Sequence, residues 1–207
     1  DGKLLVALPL EGSDALLAIA RLNEDGTLDK SFGSHETGFV EISLNGASIS
    51  TVFGLDALRD GGWLVRVQYF TQKAVDAGQA MIRLKGDGEL DDSFGDKGVS
   101  LFSFYKIPGS TLASSAGAKS SQKSPATDAS TVSAVQQADG KIVLLHFLLI
   151  DEPWPSPVVM RLLANGSLDP SFDGAGYVLV DVGATSNTAG AIAVQADGKV
   201  LVCGVFQ

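Results

Sequence analysis

"RLNEDGTLDKSFG" occupies residues 21–33, and the chain repeats it as "RLKGDGELDDSFG" from Arg83 and as "RLLANGSLDPSFD" from Arg161. Arg-Leu, Asp-Gly or Asn-Gly, Leu-Asp and Ser-Phe keep register in all three copies, which start 62 and 78 residues apart. A second element recurs between them: "DGKLLVALPL" at Asp1, "DGGWLVRVQY" at Asp60, "DGKIVLLHFL" at Asp139 and "DGKVLVCGVF" at Asp197, spaced 59, 79 and 58 residues apart. Two independent markers report one period of about 60 residues with one longer copy. The excess lies in "GSTLASSAGAKSSQKSPATDAS", a Ser/Ala/Lys-rich insertion over residues 109–130 that reads as an exposed, flexible loop between strands.

Each period carries two Asp-Gly or Asn-Gly pairs, and their chemistry says what the unit is. A two-residue hairpin loop matched to strand twist needs positive φ at both central residues, which Asn or Asp followed by Gly supplies at low cost. Asp25-Gly26, Asp87-Gly88 and Asn165-Gly166 therefore mark one hairpin per copy, and the Asp-Gly pairs of the second element mark another. Two hairpins make four strands. Four antiparallel strands at this period are the signature of propeller blades, since each blade buries its faces only against neighbouring blades. The expected fold is all-β: β-propeller-type repeats of four-stranded antiparallel blades over residues 1–59, 60–138 and 139–196, with a partial unit at 197–207. The whole of 1–207 is then a single propeller domain or part of one.

The pattern "AVQADGKVLVCG", then "RL", then "DGTLDKSFG", "DGELDDSFG" and "NGSLDPSFD", resembles the delta-60 repeat family of bacterial β-propeller proteins over essentially the whole chain. The copies depart from the pattern in "DGGW", where Lys is usual, and in "SFDGAGY", where Asp173 follows Phe. The resemblance implies a propeller-like fold, often in secreted or cell-surface proteins, and it implies no catalytic residues.

Asn23, Asp25, Thr27 and Asp29 alternate like half of a calcium loop. The corresponding residues are Lys85, Asp87, Glu89 and Asp91 in the second copy and Leu163, Asn165, Ser167 and Asp169 in the third, so the first ligand is lost twice. A hairpin turn explains all three copies. Leu28, Leu90 and Leu168, with Phe32, Phe94 and Phe172, are spaced to anchor the turn into the core. Asp29, Asp91 and Asp169 are placed to accept a backbone N–H two residues on. With Asp25-Gly26 as a two-residue loop, Leu22 faces Asp29 and Arg21 faces Lys30. That register puts Arg21 and Asp29 on opposite sides of the hairpin, and it predicts contacts between blades or carbonyl capping for Arg21, Arg83 and Arg161.

Reactive groups are few. The two histidines, His35 and His146, lack the spacing of a zinc helix or the neighbours of a nucleophile elbow, and the lone Cys203 reads as buried filler. Asp91-Asp92 and Asp151-Glu152 are adjacent and point apart in an extended chain. No cofactor is implied. A net charge of -9 over 207 residues repels phosphate backbones and disfavours nucleic acid as a partner. The longest apolar run, "IVLLHFLLI", is too short to span a bilayer and carries His146 inside it. Functional weight falls on the loops. "DEPWPSP", residues 151–157, sets three prolines around Trp154 and offers Trp154, Asp151 and Glu152 as candidate binding residues for a sugar or a protein.

The expected function is a non-catalytic binding or interaction module with a protein or carbohydrate ligand. The alternative is a propeller lyase or hydrolase with its site in the central channel. Closed propellers usually need at least four blades. The missing blades are expected from the rest of a longer chain or from another subunit.

Overall fold

The computed structural model describes residues 2–10, 16–44, 46–71, 77–103, 133–148, 156–181 and 187–206. These residues are all-β apart from a 3-10 turn at Ser34–Glu36, and none of their helices is long and apolar enough to cross a membrane. The strands are β1 (Leu4–Pro9), β2 (Leu16–Leu22), β3 (Phe39–Ser43), β4 (Ala47–Ala57), β5 (Trp63–Thr71), β6 (Ala77–Leu84), β7 (Val99–Ser103), β8 (Ala134–Gln136), β9 (Ile142–Leu148), β10 (Ser156–Leu162), β11 (Tyr177–Leu179), β12 (Asn187–Val194) and β13 (Val200–Phe206). They make four sheets in chain order: β1-β2-β3, β4-β5-β6-β7, β8-β9-β10-β11 and β12-β13. Neighbours pair antiparallel, as short hairpins require. The chain divides into two compact units, Asp1–Leu101 and Phe102–Gln207. The insertion at 109–130 lies outside the described residues.

The Asp-Gly and Asn-Gly pairs do mark hairpin turns, but each loop holds three residues rather than two. Asn23 N–H donates to Thr27 O (2.8 Å) and Gly26 N–H to Asn23 O (2.9 Å), a type I turn closed by Gly26 at φ 81°. The same pair of bonds closes the loops at Gly61, Gly88, Gly140, Gly166 and Gly198. In each, the Asp or Asn side chain accepts the N–H two residues on, as Asp25 does from Thr27 (3.0 Å). The extra loop residue shifts the register by one, so Leu22 pairs with Leu28 and Asp29 N–H donates to Arg21 O (2.8 Å). Because side chains alternate with a period of two, that shift turns Arg21 and Asp29 onto the same face. The expectation of opposite faces is overturned.

Packing inside Asp1–Leu101 has a polarity that follows from this alternation. In β1, β5, β9 and β13 the third, fifth and seventh residues after the turn aspartate share one face, here called odd, and the fourth, sixth and eighth share the even face. The even face of β1-β2-β3 carries Leu5, Ala7, Leu17, Ile19, Val40 and Ile42. It packs in one cluster with the odd face of β4-β5-β6-β7, which carries Val65, Val67, Tyr69, Ala80, Ile82 and Leu84. Fully burying one such side chain contributes about 1.5–3 kcal/mol, so this interface dominates the unit. In Phe102–Gln207, β12 lies against β8, β9 and β10, and Ile192 is buried.

Phe32 and Phe94 are fully buried, Phe172 is half-buried and Leu90 packs against the core cluster, whereas Leu28 is 43% exposed. Phe32 rests on the turn of the next copy: a Cβ on Gly88 would lie 2.8 Å from its ring, and Gly33 N–H donates to Asp87 O (2.6 Å). Gly26 has a similar φ with nothing within 4 Å. Gly26→Ala should therefore cost only the left-handed backbone term of about 1–2 kcal/mol, and Gly88→Ala should cost clearly more in urea unfolding. Equal losses would show that Phe32 does not seat on this turn.

Candidate functional site

The corrected register converts the repeated motif into an ion-paired knot. Asp29 accepts Arg21 Nε (2.7 Å) and Lys3 Nζ (2.5 Å) on Oδ2, and the Ser31 N–H (3.1 Å) and hydroxyl (2.7 Å) on Oδ1. Asp169 repeats the arrangement with Arg161 Nε (2.7 Å), Lys141 Nζ (3.3 Å) and Ser171 (3.0 and 2.7 Å). Asp91 holds Arg83 Nε (2.9 Å) and Ser93, and Asp60 also pairs with Arg83 in this copy, where Gly62 stands in place of the lysine. Each arginine lies over the phenylalanine of its own copy, Arg21 over Phe32 at 4.8 Å, Arg83 over Phe94 at 5.9 Å and Arg161 over Phe172 at 4.7 Å. Arg21 also donates to Gly86 O (2.7 Å), so carbonyl capping across copies occurs alongside the ion pair. In the first and third copies the Lys of one sequence element meets the Arg and Asp of the other in a single contact, and in the second copy Asp60 of that same element meets Arg83.

These partners hold the aspartates ionised. Lys3 and then Ser31 and Arg21 keep the Asp29 carboxyl far below its ordinary range, and Ser93 with Arg83 lowers that of Asp91. For Asp169 burial opposes ionisation, and Ser171, Lys141 and Arg161 together outweigh it. Asp25 is lowered by its bonds to the Thr27 hydroxyl and amide.

The side chains that alternate like a calcium loop bond to one another and to the turn. Asp25 Oδ1 takes Thr27 N–H and hydroxyl, Asn23 Nδ2 donates to Thr27 Oγ1 (3.1 Å), and Asp29 is filled by cations and Ser31. Among the described residues no group of three or more His, Cys, Asp or Glu side chains is placed to hold a metal. His146 is fully buried, with the Phe102 ring edge-on at 6.5 Å, and burial pushes its pKa down to about 4. It is a neutral core residue at pH 7. Cys203 is exposed rather than buried, because it lies on the outward, even face of β13. The candidate binding residues Trp154, Asp151 and Glu152 lie outside the described residues.

One polar group escaped the sequence reading. On the even face of β5 and β6, Arg66 (4% exposed) and Gln79 (0%) are buried diagonal neighbours, since Arg66 pairs with Met81 and Gln68 with Gln79. Arg66 Nε donates to Asp56 Oδ2 (2.7 Å), and its guanidinium lies where a Cβ on Gly54 would stand. Arg66 Nη1 and both amide atoms of Gln79 have no protein partner. The positions of Arg66 and Gln79 are held by Ala7 and Leu17 in the first copy and by Leu145 and Pro157 in the third. Only that contrast between copies signals the group in the sequence. Two donor sites and one acceptor at one buried place suit a water molecule or a small polar group.

A family model described as a β-propeller domain of unknown function (DUF5122) matches residues 12–32 and 155–172. Both stretches lead from the strand before the repeated hairpin to the phenylalanine of the knot. No curated protein and no solved structure matches the chain.

Stability should fall as the knots are protonated. The lowered carboxyl pKa values of Asp29, Asp91 and Asp169 stabilise the fold fully above the unfolded value of 3.8, and that contribution is lost as pH drops through it and below. The thermal midpoint should therefore decline between about pH 5 and about pH 2.5, and Asp169→Asn should be less stable at neutral pH with a shallower acid decline. Parallel curves for the two proteins would remove Asp169 from the acid response. At the polar group, Gln79→Leu restores the residue type of Leu17 and should raise stability by about 1–3 kcal/mol, measured by urea unfolding. A loss would mean that a bound group engages the amide.

Proposed function

We propose that the chain is a non-catalytic β-propeller-type binding module of delta-60-type repeats, with four-stranded blades and a protein or carbohydrate ligand held by its connecting loops. One observation carries this reading: the arginine and the aspartate that recur in every copy, Arg21 with Asp29, Arg83 with Asp91 and Arg161 with Asp169, are consumed in the three knots. Asp29, Asp91 and Asp169 bind their own arginines and serines, which leaves the motif a scaffold role. The family-model match to a β-propeller domain supports the architecture. Ligand contact then falls to what is not repeated, first the 151–155 stretch ahead of β10 with Trp154, Asp151 and Glu152. A proline-flanked aromatic residue offers a large contact area at low entropic cost. Further blades, from the same longer chain or from another subunit, complete the ring in this reading.

Arrays of polysaccharides and purified proteins, run beside a lyase and hydrolase panel, test the proposal. The expected result is saturable binding to a defined ligand, weakened about tenfold or more by Trp154→Ala with the thermal midpoint unchanged. Substrate turnover that is lost on chelation would establish the enzyme reading instead.

A further inference from the structure

Arg66 and Gln79 stand on the even face of β5 and β6 where the first copy places Ala7 and Leu17. Arg66 is 4% and Gln79 0% exposed, and Arg66 Nη1, Gln79 Nε2 and Gln79 Oε1 find no partner within the protein. Leaving such atoms unpaired costs stability, and a cost confined to one copy of a repeat marks a site shaped for something other than packing.

The geometry of these atoms defines what complements them. A carboxamide directs one N–H and one carbonyl lone pair side by side, so it is met in full by an acceptor atom next to a donor, as a glutamine meets the edge of an adenine ring. A single water oxygen reaches both only off the axis of each bond, which weakens them. Arg66 lies diagonal to Gln79 on the same face, within reach of a long side chain, and adds a second donor for the acceptor atom. An anion fits poorly. Asp56 Oδ2 already holds Arg66 Nε at 2.7 Å, and Gln79 Oε1 would meet the anion lone pair to lone pair. A cation would face the guanidinium, and burial restricts the occupant to a compact molecule rather than a polymer. The polar run continues to solvent: Gln68 pairs directly with Gln79, is half-buried and accepts the hydroxyl of exposed Ser50 (3.3 Å), while the Asp56 side chain is 30% exposed.

We propose that Arg66 and Gln79 form a site for a small neutral amide, a molecule that carries a carbonyl and an N–H side by side. The ligand carbonyl accepts from Gln79 Nε2 and Arg66 Nη1, and its N–H donates to Gln79 Oε1. Asp56 and Gly54 serve the site indirectly, the first by holding the guanidinium at Nε and the second by leaving room for it. This site is independent of the ligand held by the connecting loops.

Acetamide is the probe, set against N,N-dimethylacetamide, which lacks the N–H, and acetate, which adds a charge. In NMR of the full chain, acetamide should shift the side-chain N–H signals of Gln79 and Arg66 saturably with a Kd of about 1 mM, within the limit for so small a ligand. The other two should bind at least about tenfold more weakly, because each leaves a polar atom of the site unmatched. Gln79→Leu, expected to be the more stable protein without ligand, should lose the acetamide response at Arg66. No saturable shift up to about 50 mM acetamide, far above that Kd, would leave solvent as the occupant and overturn the proposal. So would equal binding of the three probes, or a Gln79→Leu protein that still responds at Arg66.

Discussion

A glycine at positive φ in the third position of each hairpin loop sets the strand register on which the rest of the structure depends. With Gly26 closing a three-residue loop, Arg21 comes opposite Asp29 on one face of the hairpin, and the guanidinium bridges the carboxylate and covers the Phe32 ring. One residue fewer would send the arginine to the other face, and neither contact would form. Lys3 then binds the same carboxylate from the preceding strand element, so turn, strand and neighbouring strand meet at one charge. The ion pair is partly buried, with Asp29 7% and Arg21 13% exposed as side chains, which shields it from solvent more than a surface pair. Phe32 carries the arrangement across to the turn at Gly88, so this knot orients the next copy as well as its own.

Much of this was legible in the sequence. The Asp-Gly and Asn-Gly pairs located six described turns, and the grouping in fours matches two of the described sheets, β4-β5-β6-β7 and β8-β9-β10-β11. The acceptor role of Asp29, Asp91 and Asp169 followed from side-chain chemistry alone. Loop length did not, because Asn-Gly and Asp-Gly serve two-residue loops and also the last two positions of three-residue loops. The hydrogen bond from Asn23 N–H to Thr27 O separates the two, and nothing in the local sequence states it. A further repeated glycine was also missed. Gly38, Gly98 and Gly176 all have positive φ, and a Cβ on any of them would approach Leu28, Leu90 or Leu168 to 2.8–3.0 Å. The 3-10 turn at Ser34–Glu36 lengthens the path to Gly38 in the first copy and hides the correspondence. Cys203 looked buried because its flanking residues are apolar, but an apolar run does not tell which face meets a neighbour.

The second copy shows how the scaffold absorbs change. Its lysine position is Gly62, and Arg83 acquires Asp60 as an added partner, so this knot sets one cation between two carboxylates where its siblings set two cations on one. The same copy introduces Arg66 and Gln79 on a face that is apolar in its siblings. Asp56 compensates the Arg66 charge, and Gly54 leaves room for the guanidinium, which explains a glycine in the interior of β4. An amide buried without a protein partner is costly in an ordinary core. Its presence in one copy alone marks the place where this repeat departs from pure scaffolding.

Repetition also gives each sheet two unlike faces, because side chains alternate along every strand. Inside Asp1–Leu101 the even face of β1-β2-β3, with Leu17 and Ile19, packs against the odd face of β4-β5-β6-β7, with Val65 and Val67, so the contact joins unlike faces of two similar sheets. Which residue stands on which side of a hairpin follows from its register, and the glycine that closes the loop sets that register: with Gly26 at positive φ, Arg21 comes opposite Asp29 and Leu22 opposite Leu28.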